Sequence, residues 1–200
     1  MTLTWQTHTV NVRRVGRKDR GKGVTRERDY RDVDGLVTDE PDITLVTFFA
    51  DGVPLCFLDP VKRAIGLSHS GWRGTAARMG QRTLEKMSAE FGTDPKDVIA
   101  CIGPSICGDC YEVGEEVADV FAAEFGPKWE NSILRPGIRP GKYQLDLWKA
   151  NEAVLLEAGV APDHLHVTDI CTCCNPDYLY SHRKMGEKRG NLCAFLALKS

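Results

Sequence analysis

The run His69-Ser70-Gly71-Trp72-Arg73-Gly74 constrains this chain more than any other stretch, because the patterns on its two sides require a strand to end and a helix to begin there. Apolar Ala64-Ile65-Gly66-Leu67 leads straight into it. Behind it Ala76, Met79, Thr83, Met87 and Phe91 recur at the three-to-four-residue interval of a helix, from Thr75 to Phe91. Glycines at 71 and 74 allow a ligand to approach the main chain, and a helix start behind them favours anions. An imidazole and a fixed cation, His69 and Arg73, share the turn. Taken alone, a histidine beside a tryptophan is as readily a packing residue as a catalyst.

The remaining patterns extend this to a fold class. Residues 35–38 and 43–50 are rich in β-branched and aromatic side chains and predict strands, the second buried on both faces. Residues 55–58 and 64–67 continue the sheet across a turn at Asp59-Pro60, and 98–102, 166–170 and 192–198 supply later strands. Val113, Val117, Val120, Phe121 and Phe125 mark another helix, and Asp146 has N-cap chemistry for a third that stops at Gly159. Strands grouped early and then mixed with helices predict an α/β fold, a layered α-β sandwich with a mixed sheet. Ahead of them, residues 13–31 are dense in Arg and Lys, carry Gly16, Gly21 and Gly23, and show no apolar period. That predicts a mobile, solvated loop, with phosphate contact as its functional alternative.

Composition narrows the partners. Asp and Glu number 28 against 26 Lys and Arg, so no charge excess recommends nucleic acid or an anionic membrane, and a small, roughly neutral substrate fits better. No apolar stretch of about 18 residues is present. The amino terminus lacks the basic-then-apolar form of a secretory signal, so the expected location is cytoplasmic. The 8 cysteines then point to metal ligation, a nucleophile or burial rather than to disulfides. Without an internal repeat or low-complexity linker, residues 1–200 are expected to form one domain, as monomer or homodimer.

Two more segments carry chemistry. Residues 101–114 form a second constrained turn, and Cys110 precedes a predicted helix whose N-terminus would lower a thiol pKa. Cys171-Thr172-Cys173-Cys174-Asn175-Pro176 is followed by Ser181-His182-Arg183-Lys184. The pairs Cys107/Cys110 and Cys171/Cys174 match the pattern of a four-cysteine zinc site. Their separation is several times the usual spacing of about 15 to 20 residues, so this reading ranks behind a site at His69. Arg183 is either an oxyanion clamp or a salt-bridge partner. His8, in an expected first strand, is either a site imidazole or ordinary surface. His164 and His166 share a face, but Pro162-Asp163 before them reads as a turn and favours surface placement.

Taken together, Trp5-Gln6-Thr7-His8, Ala50-Asp51-Gly52-Val53-Pro54, the run 69–74, Gly103-Pro104-Ser105-Ile106 with Cys110-Tyr111-Glu112-Val113-Gly114, and Cys171-Thr172 through Ser181-His182-Arg183 resemble the YfiH family, also called the laccase-domain or multicopper polyphenol oxidase family. The resemblance covers nearly the whole chain. It implies a cytoplasmic α/β sandwich like the catalytic domain of cytotoxic necrotizing factor toxins, with zinc, or copper as the alternative, bound by two histidines and a cysteine. His69 and Cys110 match two of those metal ligands. His8 joins them as a catalytic candidate, and Arg73, Tyr111, Arg183 and Asp51 match substrate- or phosphate-binding positions. The third ligand's region, Glu124-Phe125-Gly126-Pro127, holds no histidine, which leaves Cys107 or His8 as substitutes. The family's Ala-Asp-Cys turn is Ala50-Asp51-Gly52 here, and members usually begin some tens of residues earlier.

The activity so implied is phosphorolysis of adenosine, guanosine or inosine to free base and ribose 1-phosphate, with adenosine deamination beside it. Three alternatives stand next to this: a metal-free Cys/His hydrolase or amidase using Cys110 and His69, a copper-dependent polyphenol oxidase, and a degenerate, non-catalytic member.

Overall fold

The structure, a computed structural model, describes residues 1–200 apart from the side chain of Glu130. In chain order the strands are β1 (Thr2–Leu3), β2 (Val12–Arg14), β3 (Gly35–Thr38), β4 (Thr44–Phe49), β5 (Val53–Asp59), β6 (Ala64–Ser70), β7 (Ile99–Ile102), β8 (Glu112–Gly114), β9 (Leu134–Pro136), β10 (Lys142–Leu145), β11 (Leu165–Val167) and β12 (Leu192–Ala197). The helices are α1 (Trp72–Ala76), α2 (Met79–Phe91), α3 (Glu115–Ile133), α4 (Leu147–Glu157) and α5 (His182–Met185).

A mixed six-stranded sheet in the order β11-β7-β5-β6-β3-β2 forms the centre. Its inner pairs are antiparallel, and β11 and β2 add to its two edges in parallel. A three-stranded sheet, β1-β4-β12, covers one face. Helices α2, α3 and α4 cover the other, and strand alternation divides the side chains between the two resulting cores. Along β6, Ile65 and Leu67 face the small sheet with Leu36, Ile43 and Leu45. Ala64 joins Leu55, Phe57, Leu84, Met87, Phe121 and Leu155 on the helical side. This is the layered α/β architecture expected from the sequence.

Local chemistry sets several boundaries. The helical period behind Gly74 does not run unbroken, because Arg78 takes a left-handed backbone (φ 62°) and separates the short α1 from α2. Asp146 caps α4 by accepting from the Lys149 N–H at 3.0 Å, and Gly159 (φ 101°) follows the helix end. Gly126 (φ 62°) followed by Pro127 breaks α3. His164 is half-buried and its Nδ1 lies 3.0 Å from the Lys96 carbonyl, while His166 is exposed, so they form no shared half-site.

Residues 13–31 differ from the solvated loop their charge suggests. Strand β2 pairs with β3, and Lys22 is buried with its Nζ 2.6 Å from Asp19 and 2.8 Å from Asp29. Gly21 and Gly23 take positive φ, and Gly23 donates its N–H to the Arg26 carbonyl. Opposite charges one turn apart neutralise each other, so a charged segment can be buried without a net charge. Burial opposes ionisation of Asp19, but hydrogen bonds from Lys22 and the Gly16 N–H outweigh it and hold the carboxyl below its usual range.

Replacing Asp19 with Ala leaves the buried Lys22 ammonium with Asp29 as its remaining carboxylate partner and is expected to cost about 1.5 to 3 kcal/mol, read as a lower urea midpoint. Because the folded pKa is depressed, the wild-type contribution is present above the unfolded value near ~4 and is lost as pH falls through the folded one. The stability gap between wild type and variant must therefore narrow on acidification.

Candidate functional site

His69 is the penultimate residue of strand β6 and is buried, and its backbone N–H donates to the Asp34 carbonyl at 2.9 Å. The turn that follows is fixed from behind by a buried polar network. Ser70 Oγ lies 2.9 Å from Thr75 Oγ1 and donates to Asn151 Oδ1 at 3.0 Å, and the Asn151 amide donates to Thr75 Oγ1 and the Leu147 carbonyl. With each of these polar groups partnered in the interior, the turn has little freedom to move. The helix after it, α1, spans only Trp72–Ala76, so the anion-favouring helix start expected there is too short to supply a dipole of any weight.

Asp34 organises one wall. Its carboxylate is fully buried and accepts the N–H groups of Thr7, His8 and Thr9 at 3.0 to 3.2 Å, the Thr9 hydroxyl at 3.1 Å, and lies 3.4 Å from His69 Nδ1. Burial raises its pKa, but the hydrogen bonds from His69, Thr7 and Thr9 prevail and hold it below the carboxylate range. The segment after Trp5, expected as part of a strand, is thus a tight turn wrapped on one carboxylate, with His8 at φ 64°. The His8 and His69 rings meet edge to face with centroids 5.6 Å apart. Partial burial, then His69 and Arg73, outweigh Asp34 and lower the His8 pKa.

Asp51 organises the opposite wall. It has a left-handed backbone (φ 81°) at the β4–β5 turn, and its oxygens accept the Thr172 hydroxyl and the Arg183 N–H, each at 2.7 Å. Its carbonyl accepts the Ile106 N–H at 3.1 Å. Beside it, Gly52 has no side chain to obstruct His69: a Cβ there would stand 2.3 Å from Nε2. The imidazole fills that space.

Between the walls lies a cavity lined by His8, His69, Trp72, Arg73, Tyr111, His182, Arg183, Arg189 and neighbouring backbone. The Arg73 guanidinium sits 4.2 Å from the Trp72 ring centre, and that of Arg183 5.1 Å from Tyr111. Each pair joins a cation to an aromatic face. Burial raises the Tyr111 pKa, which keeps its hydroxyl protonated. The cavity therefore combines guanidiniums, flat aromatic faces and three imidazoles, those of His8, His69 and His182.

Cys110 lies elsewhere. It does not line this cavity and does not hydrogen-bond His69; its Sγ is 3.4 Å from that of Cys174. Strand β8, not a helix, follows it, so no helix start lowers its pKa. Burial and then the Cys174 and Cys107 thiols push the Cys110 pKa up, and burial with Cys171 raises Cys107 to about 11. Cys171 is the one held below its ordinary value, because N–H bonds from Cys107 and Cys174 outweigh its burial. The Sγ atoms of Cys107, Cys110, Cys171 and Cys174 all lie within 4.8 Å of one another and form a cluster able to hold a metal ion. Among the described residues, no comparable set of three His, Cys, Asp or Glu donors gathers about His69. A zinc shared by His69 and Cys110, as the resemblance implies, thus lacks converging donors here.

Residues 1–199 match the family described as multi-copper polyphenol oxidoreductase laccase. The chain belongs to this family. It is similar to purine nucleoside phosphorylase YlmD of Bacillus subtilis, 36% identical over 97% of this chain and 69% of that protein. It is also similar to adenosine deaminase RL5 of an unknown prokaryotic organism, 34% identical over 95% of this chain and 72% of that one. In structure it superposes on the YfiH protein of Bacillus licheniformis with a TM-score of 0.93 and 33% identity, covering 99% of this chain and 74% of the other.

Of the residues singled out in the sequence, His8, His69, Arg73, Tyr111, Arg183 and Asp51 line this cavity and Cys110 does not. Asp34 and Arg189 escaped notice. Asp34 stands between Val33 and Gly35 with no motif around it. The lone available signal was a carboxylate at the mouth of a strand antiparallel to the one bearing His69.

Substituting Asn for Asp34 keeps the shape but removes the charge and turns one acceptor oxygen into an N–H₂, which then opposes either the His8 N–H at Oδ1 or the Thr7 and Thr9 N–H groups at Oδ2. A loss of about 2 to 3 kcal/mol is expected, the scale of hydrogen bonds to a charged group. Urea unfolding measures it, and amide exchange at residues 7–9 should rise beyond the global effect.

Proposed function

We propose that the chain is a purine nucleoside phosphorylase, converting adenosine, guanosine or inosine and phosphate to free base and ribose 1-phosphate. The observation that carries this is the cavity's pairing of guanidiniums with aromatic faces: Arg73 on Trp72 and Arg183 near Tyr111, with Arg189 also on the lining. Phosphate is met by planar forks that match its oxygens in pairs. A purine presents two flat faces that stack on rings. The names of the similar proteins, a purine nucleoside phosphorylase and an adenosine deaminase, agree with both substrate halves.

In the reaction a phosphate oxygen bonds to the sugar's anomeric carbon as the bond to the purine nitrogen breaks, and the departing base takes the electron pair. The guanidiniums hold the phosphate against that carbon, so that binding orients the attack. They also balance the charge of the attacking group. The leaving base needs a hydrogen bond or a proton. His8 supplies an imidazole N–H for it, its ring held edge to face by His69, whose Nδ1 faces the Asp34 carboxylate. Asp51 keeps Arg183 in place through its backbone.

Adenosine deamination is the second reading, favoured by the similarity to the deaminase. There water adds at the purine carbon bearing the amino group and ammonia leaves, while the base-stacking faces keep the same duty. A thiol nucleophile is not part of either reading, since Cys110 and His69 do not meet.

Incubation with each nucleoside and phosphate, followed by chromatography, is expected to give free base and ribose 1-phosphate only when phosphate is present. Conversion of adenosine to inosine would report deamination, and a folded protein giving neither product would overturn the proposal. Replacing Arg73 or Arg183 with Ala should raise KM for phosphate roughly 10- to 100-fold, the loss of one charge-assisted contact. Circular dichroism should remain that of the wild type.

A further inference from the structure

We infer that Cys107, Cys110, Cys171 and Cys174 form a structural zinc site that holds together, from outside the pocket, the two loops that shape it. The inference does not rest on the activity proposed above.

The four sulfurs come from two short CxxC turns that the fold brings face to face. Residues 105 and 171 form a parallel bridge, with the Ser105 N–H donating to the Ile170 carbonyl and the Thr172 N–H to that of Ser105. Each turn then folds over the other. The Cys110 N–H donates to the Cys107 carbonyl at 3.1 Å. The N–H groups of Cys107 and Cys174 both point at Cys171 Sγ, at 3.3 and 3.4 Å. Backbone donors aimed at a sulfur favour its thiolate, the form that binds metal.

The dimensions suit zinc. A tetrahedral zinc with bonds of about 2.3 Å separates its sulfurs by about 3.8 Å. Here the Cys110–Cys174 pair is at 3.4 Å and every pair lies within 4.8 Å, so small side-chain rotations close the shell. A disulfide needs sulfurs at about 2.05 Å, and all eight cysteines are free in this structure. Four soft thiolates select zinc over hard cations, which take oxygen. A complete four-sulfur shell leaves no open position for water, so the ion's role is structural.

The position gives the site its consequence. Tyr111 follows Cys110 directly and lines the pocket. Thr172 follows Cys171 and donates to Asp51, which also holds the Arg183 N–H. The segment 103–111 carries one of these residues and 171–183 the others, and the sulfurs are the point where the two segments meet. A metal there fixes both Tyr111 and Arg183 without touching substrate.

The test is metal analysis of the whole chain, purified under reducing conditions in the presence of zinc. One zinc per chain is expected. Cys107→Ser and Cys174→Ser should each weaken it by more than the roughly 100-fold that loss of an outer-shell partner costs. His69→Ala and Cys173→Ser should leave it unchanged. Cys174→His, which restores a zinc donor, should recover binding. If the serine variants fail to fold, cobalt substitution of the wild-type chain decides, with strong thiolate-to-cobalt charge transfer and tetrahedral bands expected. On zinc removal, amide exchange should quicken at residues 103–111 and 170–183 and stay slow in β5 and β6. Zinc lost in His69→Ala, zinc retained in Cys107→Ser, reduced protein without zinc, or disulfides joining 107 to 110 or 171 to 174 in metal-replete protein would each overturn the inference.

Discussion

Asp51 takes a backbone conformation that costs energy for any residue with a side chain, and its surroundings hold it there. Its carboxylate binds the Thr172 hydroxyl and the Arg183 N–H, while its carbonyl binds the Ile106 N–H. Three segments distant in sequence, the β4–β5 turn, residues 103–111 and residues 171–183, therefore converge on one residue. The central sheet makes β5 rigid, with Val53, Leu55 and Phe57 buried in its core. The turn at its start is a fixed post, and the two loops have no regular structure of their own to hold them. The tie fixes the Arg183 backbone at the cavity wall, and the Glu112 carbonyl holds its guanidinium at 2.8 Å. Strain of order 1 to 3 kcal/mol at a non-glycine residue persists only where neighbours over-determine it, and here they do.

Asp34 performs the same task across the cavity by a different route. Asp51 joins loops to a sheet corner, whereas Asp34 gathers consecutive N–H groups of an irregular amino-terminal segment and the ring of His69. A carboxylate that accepts several N–H donors is held ionised despite burial, and the donors are positioned in return. The His8 and His69 imidazoles owe their placement to this one charge. The pocket is thus braced by two buried acids, each acting through backbone donors.

What the sequence made legible follows from range. The entry of β6 into the 69–74 turn, the cap at Asp146 and the β-branched and aromatic run of β4 are local and were readable, as was the layered α/β class they imply. Long-range charge pairing was not. A run of Arg and Lys between glycines looks solvated until Asp19 is found one turn before Lys22 and folded under it. The break at Arg78 escaped because the apolar spacing continues across it, and periodicity records which side chains are buried rather than whether the backbone is continuous. The family motifs drew together residues that line one cavity, with Cys110 outside its lining. That exception has a physical cause: a cysteine's side chain reaches little beyond its backbone, so its partners depend on how the turn around it is folded.

Spacing argued against joining the two CxxC pairs, because typical zinc sites close a short loop. The penalty for a longer loop grows only with the logarithm of its length, so a separation several times the usual costs little once other forces have joined the ends. The bridge between residues 105 and 171 and the bond from Thr172 to Asp51 do that joining. The sulfurs meet because the loops already do, and a metal there would secure a meeting the protein has arranged. The same reasoning accounts for the donor set around His69. Its Nδ1 is engaged by Asp34 and its Nε2 fills the space left open by Gly52, so the ring serves the cavity as an imidazole held by protein groups. Thiols on one side of the Cys110-Tyr111 peptide and aromatic, guanidinium and imidazole groups on the other divide structural support from substrate chemistry within a single turn.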